Sequence, residues 1–455
     1  MPYTRRDLLA GAGALAATQA LSGCATRPAA QIAPPAADSS VNRMLAQVAE
    51  EMLAEYPENA TALGLDEGAR AGLKSRLTDR SPAGQRRLAA SAAARLDKLR
   101  RIDRTGLNAA TATNLAVVQT AHETAVEGFG FRYGDVVVLN QQYSYRNSPY
   151  VVTQNTGAFV EVPDFLDSNH AIETAADADA YLARLDTYAA VLDGETERLR
   201  GNAAAGAVAP DFLLDKALRQ MRSARKAPFA EWGLVTSLAR RSKAFGDDRA
   251  EQAAGIVAQK VAPAMDRQIA ELALHRARAD GKAGVWKLPQ GDAYYAWALR
   301  AATTTRLTPD EVFQRGQEEL RVLQGRMDPL LRAQGLSQGT VGQRMTALGK
   351  DPKVLFPNTD AGRQQILAYI DNRVTDIKAR MPRAFATLVA GNVVVKRVPV
   401  EIEAGAPGGY AAAGAIDGST PGNYLYQPSR YRDLAALRSA DPDLSRGRAR
   451  PHLAG

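Results

Sequence analysis

Four histidines, at positions 122, 170, 275 and 452, are the chain's whole supply of imidazole, and no two stand three to five residues apart. That spacing is what turns two imidazoles on one helix toward a single zinc ion, so hydrolysis by a metal-activated water has no ligand pair to start from. His122-Glu123 begins like a metalloprotease motif, but Val126 stands where the second histidine would be required, so His122 reads as an ordinary helical residue. His170 reads as a cap or hydrogen-bonding residue. His275, among Arg276, Arg278 and Lys282, reads as part of a solvated helix face. The carboxylate pairs Glu50-Glu51 and Glu318-Glu319 lie on helical patterns and read as solvated faces, whereas a glycosidase needs two acids converging from different elements. No Gly-x-Ser-x-Gly elbow is present, and Gly11-Ala12-Gly13 belongs to the apolar N-terminal run instead of a phosphate loop after a strand. Cys24 is the sole cysteine, which excludes a disulfide framework.

Cys24 has a chemistry of its own in its setting. Thr4-Arg5-Arg6-Asp7-Leu8-Leu9 and the apolar run from Leu8 to Leu21 have the layout of a twin-arginine export signal, with Arg5 and Arg6 as the paired basic residues. Leu21-Ser22-Gly23-Cys24 completes a lipobox, so residues 1–23 are expected to be removed and Cys24 to carry the lipid that anchors the chain to a membrane. By resemblance to bacterial lipoproteins, Ala25 directs it to the periplasmic face of the outer membrane. Residues 24–40, rich in Ala and Pro, read as a flexible tether.

Residues 41–437 must then supply the body. At 45% hydrophobic and 23% charged, the composition is that of an ordinary globular protein. The net charge of +8 is modest, and Arg5, Arg6, Arg438, Arg446, Arg448 and Arg450 contribute to it from outside the body, so no nucleic-acid partner is expected. No stretch beyond the signal reaches transmembrane length. Helical periodicity predicts helices over 41–56, 81–102, 110–126, 177–199, 211–225, 249–279, 309–334 and 360–387, the last bent at Pro382. Ser81-Pro82 and Thr308-Pro309 are start signals, a hydroxyl to cap the free amides and a proline for the first turn. Residues 133–157 read as strands or an ordered loop lining a cleft. Tyr294-Tyr295 and Trp297 read as core. At 393–403 and 423–427 the pattern changes to short strands, with Gly405, Gly408, Gly409, Gly418 and Gly422 at the turns. The fold class is therefore mainly α, a multi-helix body with a small β-sheet near the C-terminus.

Asp417-Gly418-Ser419-Thr420-Pro421-Gly422, with Tyr410 before it and Tyr424-Leu425-Tyr426 after it, resembles the run that precedes the zinc motif in the domain of unknown function 885 family. The resemblance continues upstream through Asp164-Phe165-Leu166-Asp167-Ser168-Asn169-His170, Ala180-Tyr181-Leu182-Ala183-Arg184-Leu185, Gly284-Val285-Trp286-Lys287-Leu288-Pro289 and Thr308-Pro309-Asp310-Glu311-Val312. It implies a relative of gluzincin-type zinc peptidases, in which a His-Glu-x-x-Pro-Gly-His helix and a later glutamate hold zinc and an edge strand binds extended peptide. It makes Tyr410, Asp417, Gly418, Gly422, Tyr424 and Tyr426 candidates for a substrate groove. This chain holds no such helix, so the expectation is a truncated member without catalytic or metal residues and without a cofactor, zinc belonging to intact relatives. Residues 438–455 lack apolar periodicity and read as an out-of-frame tail. A permitted spelling of residues 439–455, read one base on, gives Tyr-His-Glu-Gly-Val-Pro-Gly-His. The alternatives that stand beside this are a non-catalytic envelope protein binding peptides or partner proteins, and a product that does not fold.

Overall fold

The computed structural model of the chain describes residues 36–139, 147–243, 249–352, 355–386, 388, 392–397, 409–412, 414, 418 and 421–426. Residues 1–23 with Arg5 and Arg6, expected as an export signal, Cys24, expected to carry a lipid, and residues 438–455, expected as an out-of-frame tail, lie outside the described residues.

The helical body runs α1 (Ala36–Glu55), α2 (Pro57–Ala62), a 3-10 stretch (Gly68–Ser75), α3 (Pro82–Arg100), α4 (Ala109–Gly128), α5 (Ala158–Ser168), α6 (Ala175–Ala204), α7 (Asp211–Lys226), α8 (Gly233–Ser242), α9 (Ala250–Ile256), a π turn (Val257–Val261), α10 (Ala262–Arg276) and α11 (Gly291–Thr303). Then come α12 (Pro309–Ala333), α13 (Val341–Leu348), α14 (Asp360–Arg380) and a sheet of β1 (Val393–Arg397), β2 (Gly409–Ala412) and β3 (Gly422–Tyr426).

Side-chain caps set many of the starts. Ser81 Oγ accepts from the Gly84 amide before α3, and Thr174 with Asp177, Thr308 with Glu311 and Thr340 with Gln343 form reciprocal capping boxes. α1 begins at Ala36, inside the stretch expected to be tether, because Asp38 is buried and accepts from the Asn108 amide at 3.0 Å. The single helix expected over 249–279 is divided by the π turn. Pro263 has no N–H to return to the preceding turn and its ring crowds the carbonyl four residues back, which a widened turn relieves. α14 stops at Arg380 and a 3-10 turn at Met381–Arg383 carries Pro382, so the helix does not continue to residue 387.

α6 is the axis of the body, and its aromatic rings bury in two directions. Tyr181 Oη donates to Leu234 O at 2.8 Å in α8 and Tyr188 Oη donates to Ala158 O at 3.0 Å in α5, so each phenol keeps a partner as its ring enters the core. The main core gathers Leu166, Leu185, Leu192, Met221, Leu238, Val257, Leu272 and Trp297. Tyr294 and Trp297 are core as expected, while Tyr295 points outward. The described part of 133–157 forms no strand beyond an isolated Thr153–Thr156 bridge, and Tyr133, Val136, Val138, Val151 and Val152 are buried in the core instead of lining a cleft. α12 is mostly exposed: Phe313 and Leu330 are 61% and 65% accessible, and Leu331 is buried.

The sheet is mixed, in the order β1-β3-β2. β1 runs parallel to β3 with Val395 opposite Tyr424, and β2 runs antiparallel to β3 with Ala411 opposite Tyr424. A second, small core of Phe356, Ile366 and Tyr426 fills the space between α14 and the sheet.

Candidate functional site

The two segments expected as strands, 393–403 and 423–427, pair directly along Val393–Arg397 and Gly422–Tyr426. Alternation on β3 separates Gly422, Tyr424 and Tyr426 from Asn423 and Leu425. The tyrosine face turns inward. Tyr426 is buried with Phe356 and Ile366, so its side chain belongs to the layer between sheet and helix and lines no open groove, while Tyr424, half-buried, packs against the same cluster. The physical reason is that the Tyr426 ring buries its area against Ile366 of α14 and Phe356, which an exposed groove would not allow. Gly422 is buried and its amide donates to Asn392 O at 2.8 Å, locking β3 beside β1. Gly418 has φ +76, a left-handed turn that explains a glycine there. Tyr410 places its backbone in β2 opposite Leu425, and Asp417 lies outside the described residues.

β2 is the outer strand: on the side away from β3 no strand pairs with it among the described residues. Leu425 and Asn423 occupy the face opposite the tyrosines, and the Asn423 side-chain carbonyl is shielded from solvent without a hydrogen-bond partner. This edge and face are what the site region offers: main-chain groups for an added strand and an unmatched amide acceptor.

The histidines are held apart. His122, in α4, is buried, and its Nδ1 lies 2.7 Å from Val118 O, so that nitrogen carries the proton. His170 is buried between Asp177 O, 2.9 Å from Nε2, and the Arg184 guanidinium, whose Nη1 donates to Nδ1 at 2.7 Å. His275 is 2% exposed with Nε2 3.1 Å from Glu271 Oε1, which corrects the expectation of a solvated face. The basic neighbours Arg276 and Arg278 are adjacent in sequence but point off the other side of α10, where Arg276 pairs with Asp215 at 2.7 Å. Among the described residues no group of three or more His, Cys, Asp or Glu could hold a metal ion, so the ligand set that zinc requires does not fit them.

Burial and the neighbouring Arg184 charge push the His170 imidazole down to about 3. His170 therefore stays neutral in the fold, while the unfolded chain takes up its proton below about pH 6.5. Its share of stability is complete above that pH and is lost progressively as pH falls toward 3, at about 1.4 kcal/mol per unit. In urea titrations between pH 7 and pH 4.5, His170→Gln, which keeps one acceptor and one donor, is expected to flatten this part of the decline. An unchanged pH slope would overturn the assignment.

Two acids do converge from different elements, where no sequence signal pointed. Glu161 of α5 and Glu195 of α6 meet Arg80 Nη1 at 2.7 and 3.0 Å. Their geometry is that of a helix cap: Glu195 accepts from the Ala158 amide at 2.9 Å and Glu161 from the Gly157 amide at 3.1 Å. Gly157, at φ +108, has no side chain to cap α5, so the buried carboxylates serve its first turn and match its dipole. With Glu195 only 1% exposed, no substrate bond reaches the pair. A cleft of about 770 Å³ opens elsewhere, between Glu127 and Phe131 on one side and Trp286, Gln290 and Asp292 on the other.

Comparison with known proteins adds three findings. A family described as bacterial protein of unknown function (DUF885) matches residues 57–442. A crystal structure described as that of the "putative lipoprotein from Colwellia psychrerythraea" superposes with a TM-score of 0.80 at 24% identity, covering 88% of this chain and 69% of that one. No curated protein matches.

Proposed function

Because the chain belongs to the DUF885 family of bacterial proteins, we propose that it is an exported envelope lipoprotein whose small mixed sheet binds extended peptide along its open edge, a relative of zinc metallopeptidases that does not itself hold the metal. The observation that carries this reading is β2, an outer strand beside a central β3 with its far side unpaired among the described residues. Such an edge offers alternating N–H and C=O groups at strand spacing, the template for adding one more strand. The lipobox at Cys24, the arginines Arg5 and Arg6, and the lipoprotein name of the structural neighbour support an envelope location. The three described histidines stand apart from one another, so they bring no zinc pair to this edge.

The test uses the mature chain and a fluorescent, extended, uncharged hexapeptide followed by polarisation. Strand addition predicts that N-methylation of alternate peptide amides weakens binding by at least about tenfold, since each methyl removes a ladder donor. Equal affinity for the methylated and plain peptides would sink the edge-strand reading. In cells, Cys24→Ala is expected to move the protein from the membrane to the soluble envelope fraction, and an unaltered membrane fraction would refute the anchor.

A further inference from the structure

Where α1 meets α3 the surface opens into a hollow of about 310 Å³, lined by Arg43, Met44, Val48 and Glu51 from α1 and by Arg95 and Lys98 from α3. Arg95 is only 2% exposed. Its Nη2 donates to Glu55 Oε2 at 2.6 Å, but Nε and Nη1 are buried with no acceptor. Glu51 Oε2 is 4.0 Å from Nη1, beyond hydrogen-bond reach. Arg184, buried still more deeply, is treated differently. Arg184 donates from Nε, Nη1 and Nη2 to Arg76 O, His170 Nδ1, Thr61 Oγ1 and Leu73 O. Buried donors on a charged group are costly to leave unmet, and Arg95 is a buried member of this lining.

The lining suggests what kind of ligand would meet them. Three cations, Arg43, Arg95 and Lys98, stand against two carboxylates, Glu51 in the lining and Glu55 paired to Arg95, while Met44 and Val48 supply an apolar wall and Gln47 an amide. The Nε2 of His122 is also buried without a partner, and its imidazole feels the charges of both Arg95 and Glu51. Water can satisfy single donors, but it brings no charge to a hollow in which cations outnumber acids.

We propose that this hollow is a binding site for a small monocarboxylate with a short apolar body, the carboxylate on the free donors of Arg95 flanked by Lys98 and Arg43, and the body against Met44 and Val48. Its volume is at the lower end of the range that small-molecule sites occupy. It is separate from the sheet edge and independent of the peptide-binding reading.

Calorimetric titration of the full chain with N-acetylleucine, with N-acetylleucinamide and with inorganic phosphate tests it. The expected result is saturable one-to-one binding of the acid, none of the neutral amide, and weaker binding of phosphate, which has nothing to place on the apolar wall. Arg95→Met is expected to weaken the acid at least about tenfold, as loss of a buried charged donor does. Because that variant also unpairs Glu55, Lys98→Ala serves beside it: Lys98 is exposed, so the fold stays intact while affinity falls about two- to fivefold. Equal binding of acid and amide, tighter binding of phosphate, no effect of Lys98→Ala, or no heat with any of the three would each overturn the proposal.

Discussion

Arg184→Met is expected to lower the unfolding free energy by about 3–5 kcal/mol, the loss typical of breaking a buried charge network, against a total of about 5–15 kcal/mol for a whole domain. Arg184 is fully buried in α6, and its guanidinium ties four places together: the 3-10 stretch through Leu73 O, the following turn through Arg76 O, α2 through Thr61 Oγ1, and His170 after α5. Phe165 lies under it with the guanidinium carbon 4.8 Å from the ring centroid. Methionine fills similar volume but leaves two carbonyls and an imidazole nitrogen dry and unmatched. Arg184→Lys is expected to recover little, because an ammonium cannot reach several acceptors in the directions a planar fork does. Urea unfolding followed by far-UV dichroism reads the effect as a lower midpoint at constant slope. A loss below about 1 kcal/mol would mean that water takes the place of the guanidinium and that the network is peripheral to stability.

Gly128→Val is the second large effect, of about 3 kcal/mol from overpacking. A Cβ at Gly128 would stand 2.1 Å from Trp297 Cζ2, a separation no real contact allows. The indole cannot give way, since Trp297 is buried among Phe131 and Tyr294 and its Nε1 donates to Thr124 O at 2.8 Å. α4 and α11 must therefore part, and the near-ultraviolet dichroism of the aromatic cluster is expected to fall with the midpoint. Gly201→Ala is the contrasting case. Gly201 is an exposed residue inside α6 with no atom near its would-be Cβ, so alanine is expected to stabilise by about 0.5–1 kcal/mol through the backbone entropy it removes. Similar effects at the two glycines would show that the helix packing at Gly128 is loose.

The helices that the sequence reveals are those with a chemical start. Ser81-Pro82 and Thr308-Pro309 predict the starts of α3 and α12 to within a residue because the hydroxyl and the proline each have a local job. α5 and α11 lack such marks. α5 starts from Gly157 with Pro163 inside it, and its cap comes from Glu161 and from Glu195, distant in the chain. α11 starts from Gln290 in a left-handed conformation with no side-chain cap. β1 is legible from its β-branched residues, whereas β2 begins at Gly409, which reads as a turn residue, and which face Tyr424 and Tyr426 of β3 present depends on α14, which alternation alone does not specify. His275 looked solvated because its sequence neighbours are basic. Only the helical spacing to Glu271 marked it as a partnered, buried side chain, a signal shared by many surface pairs.

The small core beneath the sheet has a consequence for how this end of the molecule breathes. Phe356, Ile366 and Tyr426 are its fully buried members among the described residues. Three such side chains contribute about 1.5–3 kcal/mol each before the entropy of ordering two strands is set against them. The amides of Val393–Arg397 and Gly422–Tyr426 are therefore expected to exchange with solvent deuterium through a partial opening that leaves α6 and its neighbours closed. Lowering the global stability at Arg184 shortens protection in α6 and leaves that of Tyr424 nearly unchanged. On the strand addition proposed above, a sheet so lightly held is expected to gain order as the further strand joins it, so that the edge and its guest fold together.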